Sequence, residues 1–253
     1  MTEHPKIIAV CGKGGVGKTS ISALLTILLA GEKSRKVLAI DADPAVGLSL
    51  PLGIAVHKTL DQIRNDLIRS IENGEKSGKE ELLNRLDYEL FSSLSEKDNL
   101  AFLAIGRPEG DGCYCQVNSL LREIIQNIAA RFDFVVIDGE AGIEQINRRV
   151  MEMVTHLFLV TDSSIKGQNV AAVIENVARK KIQFQKAGIF YNRMQDEEEV
   201  HQLLQRNKLP VIGWMPENPE IRKYDREGKS FFSFPDSIVM TSLKQAVQGF
   251  IYE

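Results

Sequence analysis

The chain is poor in cysteine, in basic surplus and in uninterrupted apolar sequence, and each shortage excludes a class of protein. Three cysteines in 253 residues, Cys11, Cys113 and Cys115, are too few and too odd in number for a disulfide framework, leaving core packing, redox chemistry or metal binding. Lys and Arg total 31 against 34 Asp and Glu, a formal net charge of −3, so nothing is in surplus to neutralise a nucleic-acid backbone non-specifically. The longest stretches without a charged residue, Thr19 to Gly31 and Pro44 to His57, fall short of the ~18 apolar residues of a membrane span. Neither nucleic acid nor membrane is therefore an expected partner. The opening Met1-Thr2-Glu3-His4-Pro5-Lys6 lacks an apolar signal core, which makes the cytoplasm the expected compartment. No repeat, low-complexity tract or Pro/Gly-rich linker divides the chain. What is present, 43% hydrophobic and 26% charged residues, is the composition of an ordinary globular protein.

Short β-branched or apolar runs at Lys6–Val10, Val37–Ile40, Phe134–Asp138, Leu157–Val160, Gly188–Tyr191 and Val211–Trp214 read as buried strands. Helical patterns at Thr19–Ala30, Val117–Arg131, Gly167–Lys180 and Glu197–Gln205 fall between them. Such alternation predicts an α/β fold, a mostly parallel twisted sheet with helices on both faces. Leu60 to Asp98 is charged and helical in pattern, with a break at Asn73–Lys79, and reads as a helical insertion into a single domain spanning 1–253.

Gly12-Lys13-Gly14-Gly15-Val16-Gly17-Lys18-Thr19 fits G-x-x-x-x-G-K-[ST] in the required strand–loop–helix setting. Glycines let backbone N–H groups turn inward on phosphates, and the helix N-terminus adds a favourable dipole. Lys18 neutralises β/γ oxygens and Thr19 supplies a hydroxyl for Mg²⁺, with Ser20 beside it. Lys13, directly after the first glycine, makes the loop G-K-G-G-V-G-K-T, which resembles the deviant Walker A of the MinD/ParA/nitrogenase-iron-protein class of ATPases. The resemblance implies a MinD-like P-loop fold, ATP hydrolysis to ADP, and an ATP-dependent homodimer in which Lys13 reaches the partner's nucleotide. It further implies that Asp41-Ala-Asp43-Pro44 is switch I, Asp43 orienting the attacking water and Asp41 supporting Mg²⁺ or Lys18. Asp138 to Glu144 becomes switch II, with Asp138 holding Mg²⁺ through water. Asn192 would read adenine, and Pro216-Glu217 would close over the base. For Asn192 and Glu217 a capping or turn role competes. Gly47 stands where the nitrogenase iron protein has a second switch I carboxylate, which separates this chain from that protein's electron transfer.

Cys113 and Cys115 sit two residues apart in Asp111-Gly112-Cys113-Tyr114-Cys115-Gln116-Val117-Asn118-Ser119. Two soft ligands can grip one metal but not close a tetrahedral site, which a two-fold dimer would complete as Cys₄. The other reading is packing under a loop. C-x-C in this frame, with the Ala141-Gly142-Ile143-Glu144 switch II, resembles the CooC-type ATPases of nickel insertion. That resemblance implies Ni²⁺ as cargo, with Zn²⁺ binding in vitro, and a client such as carbon monoxide dehydrogenase or acetyl-CoA synthase. Two alternatives stay open: an Fe–S cluster carrier or ATP-dependent reductase, and a MinD/ParA-like positioning ATPase. Cys11, at the entry to the phosphate loop, reads as core. His4, His57, His156 and His201 share no ligand spacing and read as structural or solvated.

Overall fold

A computed structural model of the chain describes residues 5–73, 79–107, 115–139, 154–181, 183–204 and 209–253. Its strands are β1 (Lys6–Gly12), β2 (Val37–Asp41), β3 (Ser95–Lys97), β4 (Leu100–Ala104), β5 (Phe134–Asp138), β6 (His156–Thr161), β7 (Lys186–Met194) and β8 (Val211–Pro216). They form one eight-stranded sheet in the order β3-β4-β2-β5-β1-β6-β7-β8. Every pairing is parallel except β3 with β4. The described helices are α1 (Lys18–Ala30), α2 (Ser49–Leu52), α3 (Leu60–Glu72), α4 (Lys79–Ser93), α5 (Cys115–Ala129), α6 (Ile165–Lys181), α7 (Glu197–Leu204), α8 (Pro219–Glu227) and α9 (Ile238–Val247).

Alternate residues of each central strand enter different cores, which is why the strands read as continuous apolar runs. Ile7, Ala9 and Cys11 of β1 join Leu67 of α3, Leu90 of α4, Ile125 of α5 and Ile174 of α6 on one face. Ile8 and Val10 join Leu24 of α1, Leu52 of α2 and Leu243 of α9 on the other. The chain continues from α9 into a single π-helical turn, Gln248–Tyr252, that buries Phe250 and Ile251. Lys6 Nζ donates to Ile251 O at 2.8 Å, a cation on the terminal carbonyls at the amino-end rim of the sheet. Among the described residues no helix is long and apolar enough to cross a membrane.

Two strands depart from the sequence expectation. Leu100–Ala104, rather than Phe134–Asp138, is the third parallel strand of the chain, every residue of it buried. Its Leu-Ala-Phe-Leu-Ala sequence has no β-branched residue, so burial between two layers, not propensity, makes it a strand. The end of the expected helical stretch forms edge strand β3, turned back through Asp98 and Asn99 with Asp98 at φ +54°. The Asn99 amide ties that turn to the end of α1, donating to Ala30 O at 3.0 Å and Arg35 O at 2.6 Å.

Candidate functional site

The carboxyl ends of β1, β2, β5, β6 and β7 share one rim, where an open α/β sheet binds its ligands. Gly12 ends β1 hard against the Val160 carbonyl of β6, where a Cβ would collide. Gly15 and Gly17 hold φ at +81° and +91°, the left-handed region that glycine enters without steric cost. α1 then starts at Lys18 with no side-chain cap, leaving its first-turn N–H groups for an anion. Within the loop, Val16 N donates to Lys13 O at 3.5 Å and Lys18 Nζ to the same carbonyl at 3.3 Å. Gly14 and Gly15 are exposed, and Ser20 follows Thr19 half-buried in the first turn of α1.

Asp41 and Asp138 face each other in register on β2 and β5. Both are fully buried, and desolvation raises both: the Asp41 carboxyl to about 7 and Asp138 to about 6. Hydrogen bonds from Thr19 and Ser22 and the charge of Lys18 pull Asp138 part of the way back; the Ser22 bond is 2.8 Å. A buried carboxylate beside a hydroxyl is a hard oxygen donor set that fits Mg²⁺. Asp41 is engaged by the backbone of the following loop. Its Oδ1 accepts from Asp43 N at 3.0 Å and its Oδ2 from Leu48 N at 2.7 Å, so both oxygens fasten the loop that follows β2. Asp43 stands half-exposed at the head of that loop, its own carboxylate accepting from Ala45 N at 2.9 Å.

Lys13 Nζ lies 3.9 Å from Asp162 Oδ2 after β6, both side chains about one third exposed. Asn192 is buried at the end of β7, its amide nitrogen 2.7 Å from Val16 O. The next residue, Arg193, was not singled out by sequence; its guanidinium donates to Gly15 O at 3.0 Å. Only the neighbouring motif asparagine could have drawn attention to it. Pro216 closes β8 opposite Met194, and exposed Glu217 pairs with Arg222 of α8. The structure thus gathers Gly12 to Ser20, Asp41, Asp43, Asp138 and Asn192 at one rim, with Pro216 and Glu217 beside β7.

The residues of the expected metal site are only partly among those described. Cys113 lies outside the described residues, as do His4 and residues 140–144 of the expected switch II. Cys115 opens α5 two residues earlier than the predicted helix start, while its side chain is outside the described part. Among the described residues no cluster of three or more His, Cys, Asp or Glu is placed to hold a metal. Cys11 is fully buried, and burial pushes its thiol up to about 12, in keeping with a core residue.

Residues 7–231 match the family model of the CobQ/CobB/MinD/ParA nucleotide binding domain. The chain is similar to an uncharacterised ATP-binding protein of Methanocaldococcus jannaschii, 38% identical over 234 residues, 91% of this chain and 92% of that one. It is 29% identical to the carbon monoxide dehydrogenase accessory protein CooC of Rhodospirillum rubrum over 235 residues, 89% of each chain. Of solved structures, the septum site-determining protein MinD of Pyrococcus horikoshii, complexed with Mg-ADP, aligns with a TM-score of 0.67 at 23% identity. That alignment covers 97% of this chain and 95% of the other. The glycine loop and its two strand-end aspartates are thus the local expression of a match that runs through nearly the whole fold, and the chain belongs to the CobQ/CobB/MinD/ParA family of nucleotide-binding proteins.

Proposed function

We propose that this protein is a cytoplasmic ATPase and metallochaperone: an ATP-bound homodimer that takes custody of Ni²⁺ and delivers it to a nickel enzyme. The client would be of the carbon monoxide dehydrogenase or acetyl-CoA synthase kind. The observation that carries the reading is the pairing, in one chain, of a signature-lysine phosphate loop with a C-x-C motif running into α5. The 29% identity to CooC across 89% of both chains supports it.

In this reading the loop from Gly12 to Ser20 cradles the ATP phosphates and Lys18 neutralises their outer oxygens. Asn192, Pro216 and Glu217 border the base. Thr19 and Asp138 hold Mg²⁺, which when bound offsets charge on the β and γ phosphates. Asp43 orients the attacking water and takes its proton. The water oxygen bonds to the γ phosphorus as the bridging oxygen bond breaks, releasing ADP and phosphate. Lys13 crosses to the partner's nucleotide, so closure brings two Cys113 and two Cys115 together as four thiolates around the cargo ion. Zn²⁺ competes for the same thiolates in vitro.

Elemental analysis of metal per chain in the apo, ADP and non-hydrolysable ATP-analogue states tests this reading. About one Ni²⁺ per two chains, confined to the analogue state and lost in Cys113→Ser/Cys115→Ser, is the expected result for a shared tetrathiolate. Unchanged Ni²⁺ binding by the double variant sinks the metal half; one ion per chain sinks the shared site.

A further inference from the structure

The β7 strand does not run out evenly beside β8. Asn192 pairs with Met215 and Met194 with Pro216, and the register shifts between them, leaving Arg193 as the extra residue of a bulge. Arg193 holds φ at +63°, a left-handed conformation that costs a non-glycine residue free energy and persists where surrounding contacts impose it.

That bulge turns two consecutive side chains onto two consecutive carbonyls of the phosphate loop. Arg193 donates to Gly15 O at 3.0 Å and Asn192 to Val16 O at 2.7 Å. In a trans peptide the carbonyl and the following N–H point opposite ways. Holding the Gly15 and Val16 carbonyls toward β7 therefore turns the N–H groups of Val16 and Gly17 to the other side, into the hollow of the loop. Val16 N accordingly donates to Lys13 O across that hollow. Gly17 completes the fit, since a Cβ there would strike the Asn192 amide.

We propose that the Asn192–Arg193 bulge is an outer clamp that preforms the phosphate loop, and that Arg193 is a positioning residue for nucleotide binding. The inference rests on the reading that this loop holds a nucleotide. A preformed loop lowers the ordering cost of binding any phosphate chain seated in it. Arg193 thus acts equally on ADP and ATP, and on affinity rather than on the chemical step.

Arg193→Gly is the discriminating variant, because it removes the guanidinium while relieving the left-handed backbone, so the fold is not put at risk. Arg193→Lys keeps the charge and loses the planar fork. Calorimetric titration of Mg-ADP and a non-hydrolysable Mg-ATP analogue, steady-state hydrolysis and thermal melts are compared with wild type. The expected result for Arg193→Gly is a rise in Kd of about tenfold for both nucleotides, the scale of one charge-assisted hydrogen bond. Its kcat at saturating ATP stays within about twofold and its Tm does not fall, while Arg193→Lys recovers part of the affinity. Unchanged affinities overturn the clamp. So does a loss confined to kcat with ADP binding intact, which would place the guanidinium on the transferring phosphate. Full recovery by Arg193→Lys also overturns it, by reducing the effect to charge alone. If wild type binds neither nucleotide, the nucleotide reading itself fails and the clamp with it.

Discussion

Asp138 carries two demands that pull against each other. Burial raises its carboxyl to about 6, so the folded protein holds the ionised form at a cost. The stabilising protonated form is fully present below the unfolded pKa near 3.8 and is lost as pH rises through about 6. At pH 7 without Mg²⁺, Asp138→Asn is therefore expected to raise stability by about 2 kcal/mol, its amide oxygen still accepting from Ser22. In the proposed mechanism the same change should abolish hydrolysis, since it removes the carboxylate that would hold Mg²⁺. Urea melts in chelator, run beside a phosphate-release assay, check both halves; a destabilised Asn variant would mean that the carboxylate's hydrogen bonds outweigh its desolvation. Asp41 illustrates what sequence alone does not reveal at this scale. Its place in Asp41-Ala-Asp43-Pro44 is visible, but its use as a fastener depends on where Leu48 N falls seven residues later.

Among the elements, the π-helical turn Gln248–Tyr252 does more than end the chain. Phe250 sets its ring edge-on to His156 and to Phe158, at 5.2 and 6.2 Å, so the turn closes the core at the base of β6. Phe250→Ala should cost about 3 kcal/mol, the usual scale for a truncated buried aromatic, with nucleotide affinity unchanged because the site lies at the opposite rim. Denaturant unfolding paired with nucleotide titration separates the two; a parallel loss of binding would refute that independence. The β1–loop–α1 unit was legible in sequence because its glycines answer a local geometric need. So were β2, β5, β6, β7 and β8, whose apolar runs are long enough to register. β4 was not legible, since its strand state comes from burial by two helical layers. β3 was hidden because Ser95-Glu96-Lys97 is an edge segment whose only strand credential is its partner. Arg193 was equally hidden, because its reach to the phosphate loop depends on a register shift between two strands that no spacing in the chain announces.

For the whole molecule, in the dimer we propose, the placement of Lys13 would set how readily one copy engages another. Within the single chain it lies 3.9 Å from Asp162, both partly exposed, and such pairs are worth under about 1 kcal/mol. Releasing Lys13 to a partner is thus a small toll beside a protein–protein interface. Light scattering with a non-hydrolysable ATP analogue should give twice the 28.3 kDa of the chain. Lys13→Gln should remain a single chain, and Asp162→Asn should dimerise at least as tightly as wild type, by no more than about fivefold. A Lys13→Gln dimer of wild-type affinity would remove the lysine from the interface.

The burial of Cys11 has a practical corollary for every such experiment. Its thiol sits on a central strand with no exposed surface and a pKa near 12, so modifying reagents reach it only when β1 leaves the sheet. The protein therefore carries its own internal clock for global opening. The rate at which a thiol reagent consumes Cys11 in the Cys113→Ser/Cys115→Ser background reads out unfolding directly, and ligands that bind the native state should slow it in proportion to their hold.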